Sequence, residues 1–345
     1  DETTIDQPRR YVDLHVPDGI PDLLQQIEHG TLQLLAQHRA VGHAINGIVE
    51  PDLGQYTHLG DAASKTDGLI YDASLAPGQS NGTHSGTPDD RWAFTSKSTA
   101  LNYGSIAALA AASRTLRGYR DALADDCLAT ALRVWNEEHA QPPHLFRHGN
   151  TTGGILEDEE FRAAVELLLA TREPRFGRRA EELWPVVQQR LPANVPHAVR
   201  ALPLLGETFR AQLAASARTF RDEAAALAKA NPYGVPIHTG GWAGSTQVLR
   251  FANTAYLLHR AFPDIVDAQP VFDGLHYLLG RHPGSELSLV SGVGTQTKEV
   301  AYGSNRADFS FIAGGVVPGV LIIKPDFPEN KEDWPCFWGE NEYVV

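Results

Sequence analysis

The sequence predicts an all-α protein, and three observations support that prediction. Apolar residues recur at helical spacing through most of the chain, while alternating strand patterns are scarce. Loops rich in glycine, proline and aromatic residues separate the helical stretches, above all at 50–97 and 280–345. No short sequence repeat is evident, so what repeats is the order of helix, loop and antiparallel helix. This organisation predicts an α/α toroid or helical solenoid in which one face of long, functional loops forms a groove.

The predicted helices follow one another along the chain. The first begins near Pro21, since proline is tolerated in a first helical turn. An alanine-rich second helix spans Ser98–Leu116, and Asp121 is predicted as the N-cap of the third. Val316–Ile323, a short β-branched run after two glycines, is the best candidate for a strand. Further helices are predicted at Asp158–Thr171, Gly177–Gln189, Glu207–Ala230, Gly244–Ala261 and Gln269–Leu279.

Composition excludes several classes of protein. A chain of 345 residues with 42% hydrophobic and 21% charged residues can bury a core without disulfides, and Cys127 and Cys336 cannot form a disulfide framework. The formal net charge is −13 without any Lys/Arg cluster, so neither nucleic acid nor an anionic membrane surface is an expected partner. No apolar run reaches the ~20 residues of a membrane span. Because the chain contains no methionine, we expect it to begin after the natural start of its protein.

The segment Lys324–Val345 combines carboxylates with aromatic rings. Glu340 and Glu342 lie close to Trp338 in the sequence. Aromatic rings can stack on the apolar faces of sugars, and a carboxyl group in such a partly dry pocket has a raised pKa that favours proton donation. The two glutamates cannot form an inverting catalytic pair, because neighbours on one strand face do not flank a sugar. The alternative is a solvated acidic loop packed on a hydrophobic rim.

A second candidate segment is Val290–Phe311. Its small residues allow a ligand to approach the backbone closely. Tyr302, Asn305 and Arg306 supply hydrogen-bond donors and acceptors suited to sugar hydroxyls. These residues are therefore candidates for substrate binding.

A third candidate segment is Asn231–Ser245, which leads into a predicted helix. Trp242 stands between glycines at the entrance of that helix. It is either a platform on which a sugar stacks or a hydrophobic staple of the helix end. The residue pattern leaves both interpretations open.

The histidines show no metal-ligand pattern. His144 and His148 are four residues apart, but the adjacent prolines and glycine disfavour a helix there, and no third ligand stands out. We therefore predict no catalytic metal and no cofactor. The acidic loops would suit a structural calcium ion, although no segment has EF-hand spacing.

Six segments in order resemble glycoside hydrolase family 9, the cellulase family with an (α/α)6 barrel. Four of them are DGIPDLLQQIEHGTLQLLAQ at 18–37, LNYGSIAALAAASRTLRGY at 101–119, YGVPI with GGWAGS within 233–245, and LHYLLGRHP at 275–283. The fifth, SLVSGVG, leads toward Arg306, where the family's HxR motif ends. In the sixth, Asp333, Trp338 and Glu342 reproduce the spacing D-x(4)-W-x(3)-E of the family's terminal acid motif. The C-terminal segments look closest to the branch found in Bacteroidetes-like bacteria.

The resemblance implies an inverting hydrolase of a β-1,4-linked glucan such as cellulose, mixed-linkage glucan or xyloglucan. Glu342 would be the general acid. The residues predicted to bind substrate are Tyr302, Asn305, Arg306, Trp242 and Trp338. One departure affects the subsites: Ser304 and Asn305 stand where the family has histidines before the arginine.

The resemblance also predicts a single catalytic domain over 1–345 that lacks two pieces. The family's D-A-G-D motif, which carries the catalytic base, precedes the GIPD helix and would lie upstream of residue 1. Asp61 echoes that motif only superficially, because it follows the helix. The last barrel helix would come after Glu342. A polymeric substrate implies an extracellular or periplasmic protein, although the chain shows no signal peptide.

Two other classes stay open from the sequence. The chain could be a non-catalytic carbohydrate-binding or structural protein on a glycosidase scaffold; a D-A-G-D motif upstream would argue for an enzyme instead. Among enzymes, the rivals are another α/α-toroid glycosidase and a polysaccharide lyase acting on uronates. The negative net charge disfavours a polyuronate substrate.

Overall fold

The structure is a computed structural model that describes residues 3–6, 11–14, 16–49, 67–149, 151–237, 244–281, 287–297, 313–316, 321–323 and 342–344. The chain divides into two compact units, Asp1–Gln189 and Arg190–Val345. Helices dominate the described part of both units, as the sequence predicted. The assignment of 1–345 to one catalytic domain stays a prediction.

The first unit is built on helices that pack side by side. Its helices are α1 (Asp22–Val41), α2 (Thr99–Thr115), α3 (Asp121–His139), α4 (Leu156–Thr171) and α5 (Pro174–Val187). α2 packs against α3 and α4, and α4 packs against α5. Ile106, Leu109 and Ala110 of α2 are fully buried, and the many alanines of this helix allow its neighbours to approach on several sides. The five predicted helices are confirmed with small shifts at their ends.

The starts of α2 and α3 show one correct and one wrong prediction. α2 begins after Ser98, whose hydroxyl accepts a hydrogen bond from Leu101 N, as expected of an N-cap. The N-cap of α3 is Arg120, not Asp121. Asp121 is the first helical residue, and its Oδ1 accepts a hydrogen bond from Gly118 N at 3.0 Å. Its carboxylate therefore supports the preceding turn rather than capping the helix.

Short strand pairs accompany these helices and were not predicted. In antiparallel pairs, β1 (Thr3–Asp6) joins β2 (Tyr11–Leu14), and β3 (Gly47–Val49) joins β6 (Trp92–Phe94). In a parallel pair, β4 (Ile70–Tyr71) joins β5 (His84–Ser85). Strands of two to four residues carry too little periodicity to be recognised in a sequence.

The second unit contains helices α6 (Leu191–Ala201), α7 (Glu207–Ala230), α8 (Gly244–Ala261) and α9 (Gln269–Leu278). α8 packs against α6 and α9. The contact between α8 and α9 requires Gly274, because a Cβ there would lie 2.6 Å from Ala252 Cβ. A further pair of strands, β7 (Leu321–Ile323) and β8 (Glu342–Val344), is antiparallel. β7 confirms the end of the predicted strand Val316–Ile323.

α6 is the described helix that sequence reasoning missed. It contains Pro192 and Pro196, although proline lacks the N–H of the helical ladder. Pro192 stands in the first turn, where no such hydrogen bond is needed. Burial of Val195 and Ala198 offsets the bond lost at Pro196.

α7 is an amphipathic helix with one buried face. Its 24 residues bury a single stripe of side chains: Phe209, Leu213, Ala217, Phe220 and Ala224. The remaining faces carry polar and small residues, as in an amphipathic helix on the outside of a core. No helix in the described ranges is both long and apolar enough to cross a membrane.

Candidate functional site

The predicted general acid, Glu342, is the first residue of β8. In the antiparallel pair of β7 and β8, Glu342 lies opposite Ile323. The backbone at this position is therefore extended and has a partner strand. The other predicted site residues fall outside the described part of the chain: Trp242, Tyr302, Asn305, Arg306 and Trp338. Their roles stay predictions.

The loop after α9 is attached to that helix. We call residues 287–297 and 313–316 together the anchored loop. Leu289 N donates to Leu278 O in the last turn of α9 at 2.8 Å. Within the loop, Ser288 N donates to Gln296 O at 2.8 Å. The predicted substrate loop thus starts from a fixed position on α9.

The two parts of the anchored loop are also bound to each other. Ser291 N donates to Gly315 O at 2.9 Å, and Gly314 N donates to Ser291 O at 2.7 Å. Val290 and Val316 form an antiparallel bridge beside them. The chain between the two parts carries the three polar candidates of 302–306, so both ends of that stretch are held in place.

In the first unit, a buried carboxylate gathers the residues at the start of α2. Glu138, in the last turn of α3, has a side chain only 1% exposed. It accepts hydrogen bonds from Thr99 Oγ1 and Asn102 Nδ2, both at 2.7 Å, and Lys97 Nζ lies 2.8 Å from Oε1. Burial would raise the pKa of Glu138, but these partners outweigh it and lower that pKa. We call Glu138, Lys97, Thr99 and Asn102 together the Glu138 cluster.

The Glu138 cluster fixes two connections of the first unit. Thr99 Oγ1 accepts a hydrogen bond from His144 N at 2.8 Å, which holds the loop after α3. Asn102 Oδ1 accepts one from Ala44 N at 2.9 Å, which holds the loop after α1. The loops leaving α1 and α3 therefore meet at the N-terminal end of α2, and a buried ionised group sets their position.

β6, just before α2, exposes two aromatic side chains. Trp92 is 64% exposed and Phe94 is 54% exposed. Two residues apart on one strand, they lie on the same face. Exposed rings on one face can stack on sugar rings. In the sequence, the alternation Trp92-Ala93-Phe94 is the signal that could have indicated two aromatic rings on one face. The pairing of this segment with β3, which makes it a strand, was not predicted.

His139, next to Glu138, belongs to a second network, in which Glu160 is the buried residue. Its Nε2 lies 3.0 Å from Glu160 Oε1, and its Nδ1 lies 2.8 Å from Trp135 O. Both ring nitrogens thus face oxygen acceptors, which only the imidazolium can satisfy with two donors. Arg179 donates to both oxygens of Glu160, at 2.6 and 2.9 Å. This His139–Glu160–Arg179 network joins α3 to α4 and α5.

The network shifts the pKa values of its members in opposite directions. The hydrogen bond with Glu160 raises the pKa of His139, against the effect of burial. Burial would raise the pKa of Glu160, but the hydrogen bonds with His139 and Arg179 outweigh it and lower that pKa. The raised pKa values of His139 and Arg179 and the lowered pKa of Glu160 all favour the charged form of the group.

The described residues offer no evident metal site. No three His, Cys, Asp or Glu side chains among them come together as metal ligands. His144 and His148 lie in the connection between α3 and α4 rather than on a helix, as predicted. The absence of a catalytic metal from the whole protein stays a prediction.

Several solved structures share this fold. The crystal structure of a metagenome-derived glycoside hydrolase family 9 endoglucanase matches with a TM-score of 0.62 and 21% identity, covering 90% of this chain and 56% of that chain. The structure of AaCel9A in complex with cellobiose-like isofagomine matches with a TM-score of 0.61 and 20% identity, covering 89% and 57%. A Bacteroides ovatus family 9 structure has a TM-score of 0.60 and 17% identity, covering 89% and 58%. The chain spans a little more than half the length of each, and the matches show that it has the α/α-barrel fold.

A family model identifies the chain more closely. The model of glycosyl hydrolase family 9 matches residues 21–310. The chain belongs to glycosyl hydrolase family 9, which confirms the resemblance of its sequence segments and the predicted (α/α)6 fold class. The match ends before Asp333 and Glu342, so the terminal acid motif rests on its own spacing. Comparison with curated proteins gave no match.

Proposed function

We propose that the protein containing this chain is an inverting O-glycosyl hydrolase that cleaves β-1,4-linked glucan, such as cellulose, mixed-linkage glucan or xyloglucan. The observation that carries this proposal is the family 9 match over 21–310. The matched solved structures add support, since they include an endoglucanase and a complex with cellobiose-like isofagomine. Hydrolysis of this kind needs two carboxyl groups and water, so the proposal includes no cofactor.

Glu342 is the proposed general acid. It occupies the glutamate position of the motif formed with Asp333 and Trp338, and it begins a strand whose backbone is paired. In an inverting mechanism, it gives its proton to the leaving glycosidic oxygen. A second carboxylate, about 6.5–9.5 Å away, activates water on the opposite face of the sugar. We expect that base in the family's D-A-G-D motif, upstream of residue 1.

We also propose that the five residues predicted from the sequence as substrate-binding take part in this reaction. Arg306, with Asn305 and Tyr302, would donate to sugar hydroxyls, and the anchored loop would hold the ends of their segment in place. Trp242 and Trp338 would stack on sugar rings. A polymeric substrate of this kind implies action outside the cytoplasm, and secretion is part of the proposal.

The test compares two neighbouring glutamates in the full-length protein. Glu342→Gln should lower kcat on a soluble β-1,4-glucan by at least about a thousandfold, as expected for loss of a general acid. Cello-oligosaccharide binding, measured by calorimetry, should persist. Glu340→Gln is the matched control, two residues away, and should keep most of the activity. Unchanged turnover in Glu342→Gln would remove this residue from the mechanism.

The stereochemistry of the product tests the rest of the proposal. Proton NMR of the first product should show the α-anomer, since inversion at a β-linkage gives that configuration. A β-anomer as first product would contradict inversion. A wild-type protein that binds cello-oligosaccharides without cleaving them would favour the carbohydrate-binding alternative.

A further inference from the structure

The chain contains two Asn-Gly pairs, Asn46-Gly47 and Asn81-Gly82, and the structure places them in different settings. In such a pair the glycine nitrogen can attack the asparagine side chain, because no Cβ shields it. We propose that Asn81 is a site of spontaneous covalent modification, in which its amide is lost through a succinimide, and that Asn46 is protected from the same reaction. This proposal is independent of the catalytic function.

The chemistry needs only solvent. Hydroxide removes the proton from Gly82 N, and that nitrogen attacks Asn81 Cγ, forming a C–N bond and a tetrahedral oxyanion on Oδ1. The Cγ–Nδ2 bond then breaks, and ammonia leaves after taking a proton from water. Water opens the resulting succinimide at either carbonyl, which gives aspartate or isoaspartate. The net change replaces one amide nitrogen by oxygen.

Three hydrogen bonds converge on the oxygen that becomes negative. Asn81 Oδ1 accepts from Thr83 N at 3.1 Å, from Thr83 Oγ1 at 3.1 Å and from His84 N at 2.8 Å. This is an Asx turn extended by a hydroxyl donor. The donors polarise the Cγ carbonyl before attack and stabilise the oxyanion after it, as the donors of an oxyanion hole do.

A histidine supports the hydroxyl donor. His84 Nδ1 lies 3.0 Å from Thr83 Oγ1. When Nδ1 carries a proton, it donates to Thr83 Oγ1, and the hydroxyl proton then points to Asn81 Oδ1. This chain of hydrogen bonds strengthens the Thr83 donor and can deliver a proton toward the oxyanion.

The attacking nitrogen is accessible. Asn81, Gly82 and Thr83 are all exposed, so water and hydroxide reach them. Gly82 has a φ of 94°, which glycine adopts without strain. Within the described part of the chain, Gly82 N has no hydrogen-bond partner that would have to be broken before attack.

Asn46 has the opposite setting. Its Nδ2 donates to Ser96 O at 3.0 Å, and its backbone N donates to Phe94 O at 3.1 Å. Its Oδ1 is buried and has no hydrogen-bond donor in the described structure. Gly47 is part of β3 and pairs with Phe94. At Asn46 the leaving nitrogen, Nδ2, is therefore hydrogen-bonded, and a negative charge on Oδ1 would have no donor to stabilise it. The attacking nitrogen would be that of Gly47, whose position is fixed by the strand.

The product at Asn81 would change the loop that carries it. Asn81 N donates to His84 O at 3.0 Å, and Ser80 bridges Ser85 across the same turn. Isoaspartate adds a carbon to the backbone and would break this turn. Since Ser85 Oγ donates to Asp67, the change would reach the β4–β5 pair as well.

The experiment measures both sites in one molecule. The protein is incubated in mildly alkaline buffer, and peptide mapping by mass spectrometry follows ammonia loss and isoaspartate at each pair. In the folded chain, Asn81 should convert at least about tenfold faster than Asn46, and in urea the two rates should converge to within about threefold. Equal rates in the folded chain would overturn the proposal.

Variants of Thr83 separate assistance from simple exposure. Thr83→Val should slow conversion at Asn81 by about fivefold, since it removes one donor to the oxyanion. Thr83→Ser keeps the hydroxyl and should react at close to the parent rate. Conversion in Thr83→Val at the parent rate would show that the hydrogen bonds on Oδ1 do not assist the reaction and would overturn that part of the inference.

Discussion

α4 of the first unit and α7 of the second are both regular helices, but they differ in how much of their surface is buried and in whether charged side chains are buried with it. α4 buries side chains around most of its circumference, among them the carboxylates Glu160 and Glu166. α7 buries only one stripe and leaves its charged residues in water. The difference shows that a helix with buried charged side chains needs partners for them, while α7, which buries no charged side chain, does not.

The partners of the α4 carboxylates come from neighbouring helices. Glu160 forms ion pairs with His139 of α3 and Arg179 of α5. Glu166 forms an ion pair with Arg114 of α2. Each carboxylate is buried, while its arginine reaches solvent at one side. A charge buried without such a partner would cost several kcal/mol. The packing of α2, α4 and α5 is thus specified by charge as well as by apolar shape.

The largest expected effect is on packing, tested with one leucine in each helix. Leu167 in α4 and Leu213 in α7 are both fully buried. We expect Leu167→Ala to lower the free energy of unfolding by about 4 kcal/mol and Leu213→Ala by about 2.5 kcal/mol, because the surroundings of α7 can relax into the cavity. Urea denaturation measures both. Equal losses of the free energy of unfolding would show that the surroundings of the two helices relax to the same extent around the cavity.

A smaller effect is expected when a buried charge is removed. Glu160→Gln should cost about 2 kcal/mol, below the roughly 3–5 kcal/mol for breaking a fully buried ion pair, because His139 and Arg179 are about one-third exposed. Glu223→Gln, at an exposed position on α7, is the control and should change stability by less than about 0.5 kcal/mol. Similar results for both variants would mean that the α4 network adds nothing to stability.

The smallest effect is a dependence of stability on pH. Because the folded-state pKa of His139 is raised, its contribution is complete below its unfolded value of about 6.5 and is lost as pH rises through the folded pKa. Because the pKa of Glu160 is lowered, its contribution is present above about 4.3 and is lost as pH falls through the folded pKa. The network therefore contributes most between about pH 5 and 6.5.

The measurement compares the free energy of unfolding of the parent protein and of a His139 variant across that range of pH and above it. The difference in free energy of unfolding between the parent and His139→Gln should shrink as pH rises above about 6.5. Tyr103, whose ring lies 5.7 Å from His139, and the charged pair of Glu160 and Arg179 are the groups of α2, α4 and α5 that face the imidazole. A difference that does not change with pH would contradict the charged state assigned to His139.

The sequence predicted the helices well where their pattern is local. α7 and α8 were predicted with both ends correct, and α2, α4 and α9 within a few residues, because the apolar spacing that marks a helix lies inside each element. α6 was not predicted; it contains two prolines, and the burial of Val195 and Ala198 stabilises it in the folded chain. The N-cap of α3 was misplaced because an aspartate can serve the preceding turn equally well.

The candidate site was predicted less completely. Family motifs led to Glu342 and to the residues around Arg306, and the family itself is confirmed. The Glu138 cluster and the His139–Glu160–Arg179 network were not predicted, since each carboxylate lies 19 to 41 residues from its partners and no local pattern connects them. Likewise, β3 and β6 pair across more than forty residues, so the exposed face of Trp92 and Phe94 follows only from the fold.

The way in which the anchored loop is held affects how its length can change in evolution. Its two parts are joined by the hydrogen bonds of Ser291 and by the bridge of Val290 with Val316, so the intervening stretch begins and ends at one fixed point. Lengthening a closed loop is inexpensive, at about 0.6 kcal/mol for each doubling of its length. Residues could therefore be inserted or deleted there in evolution while α9, to which the loop is attached, keeps its packing.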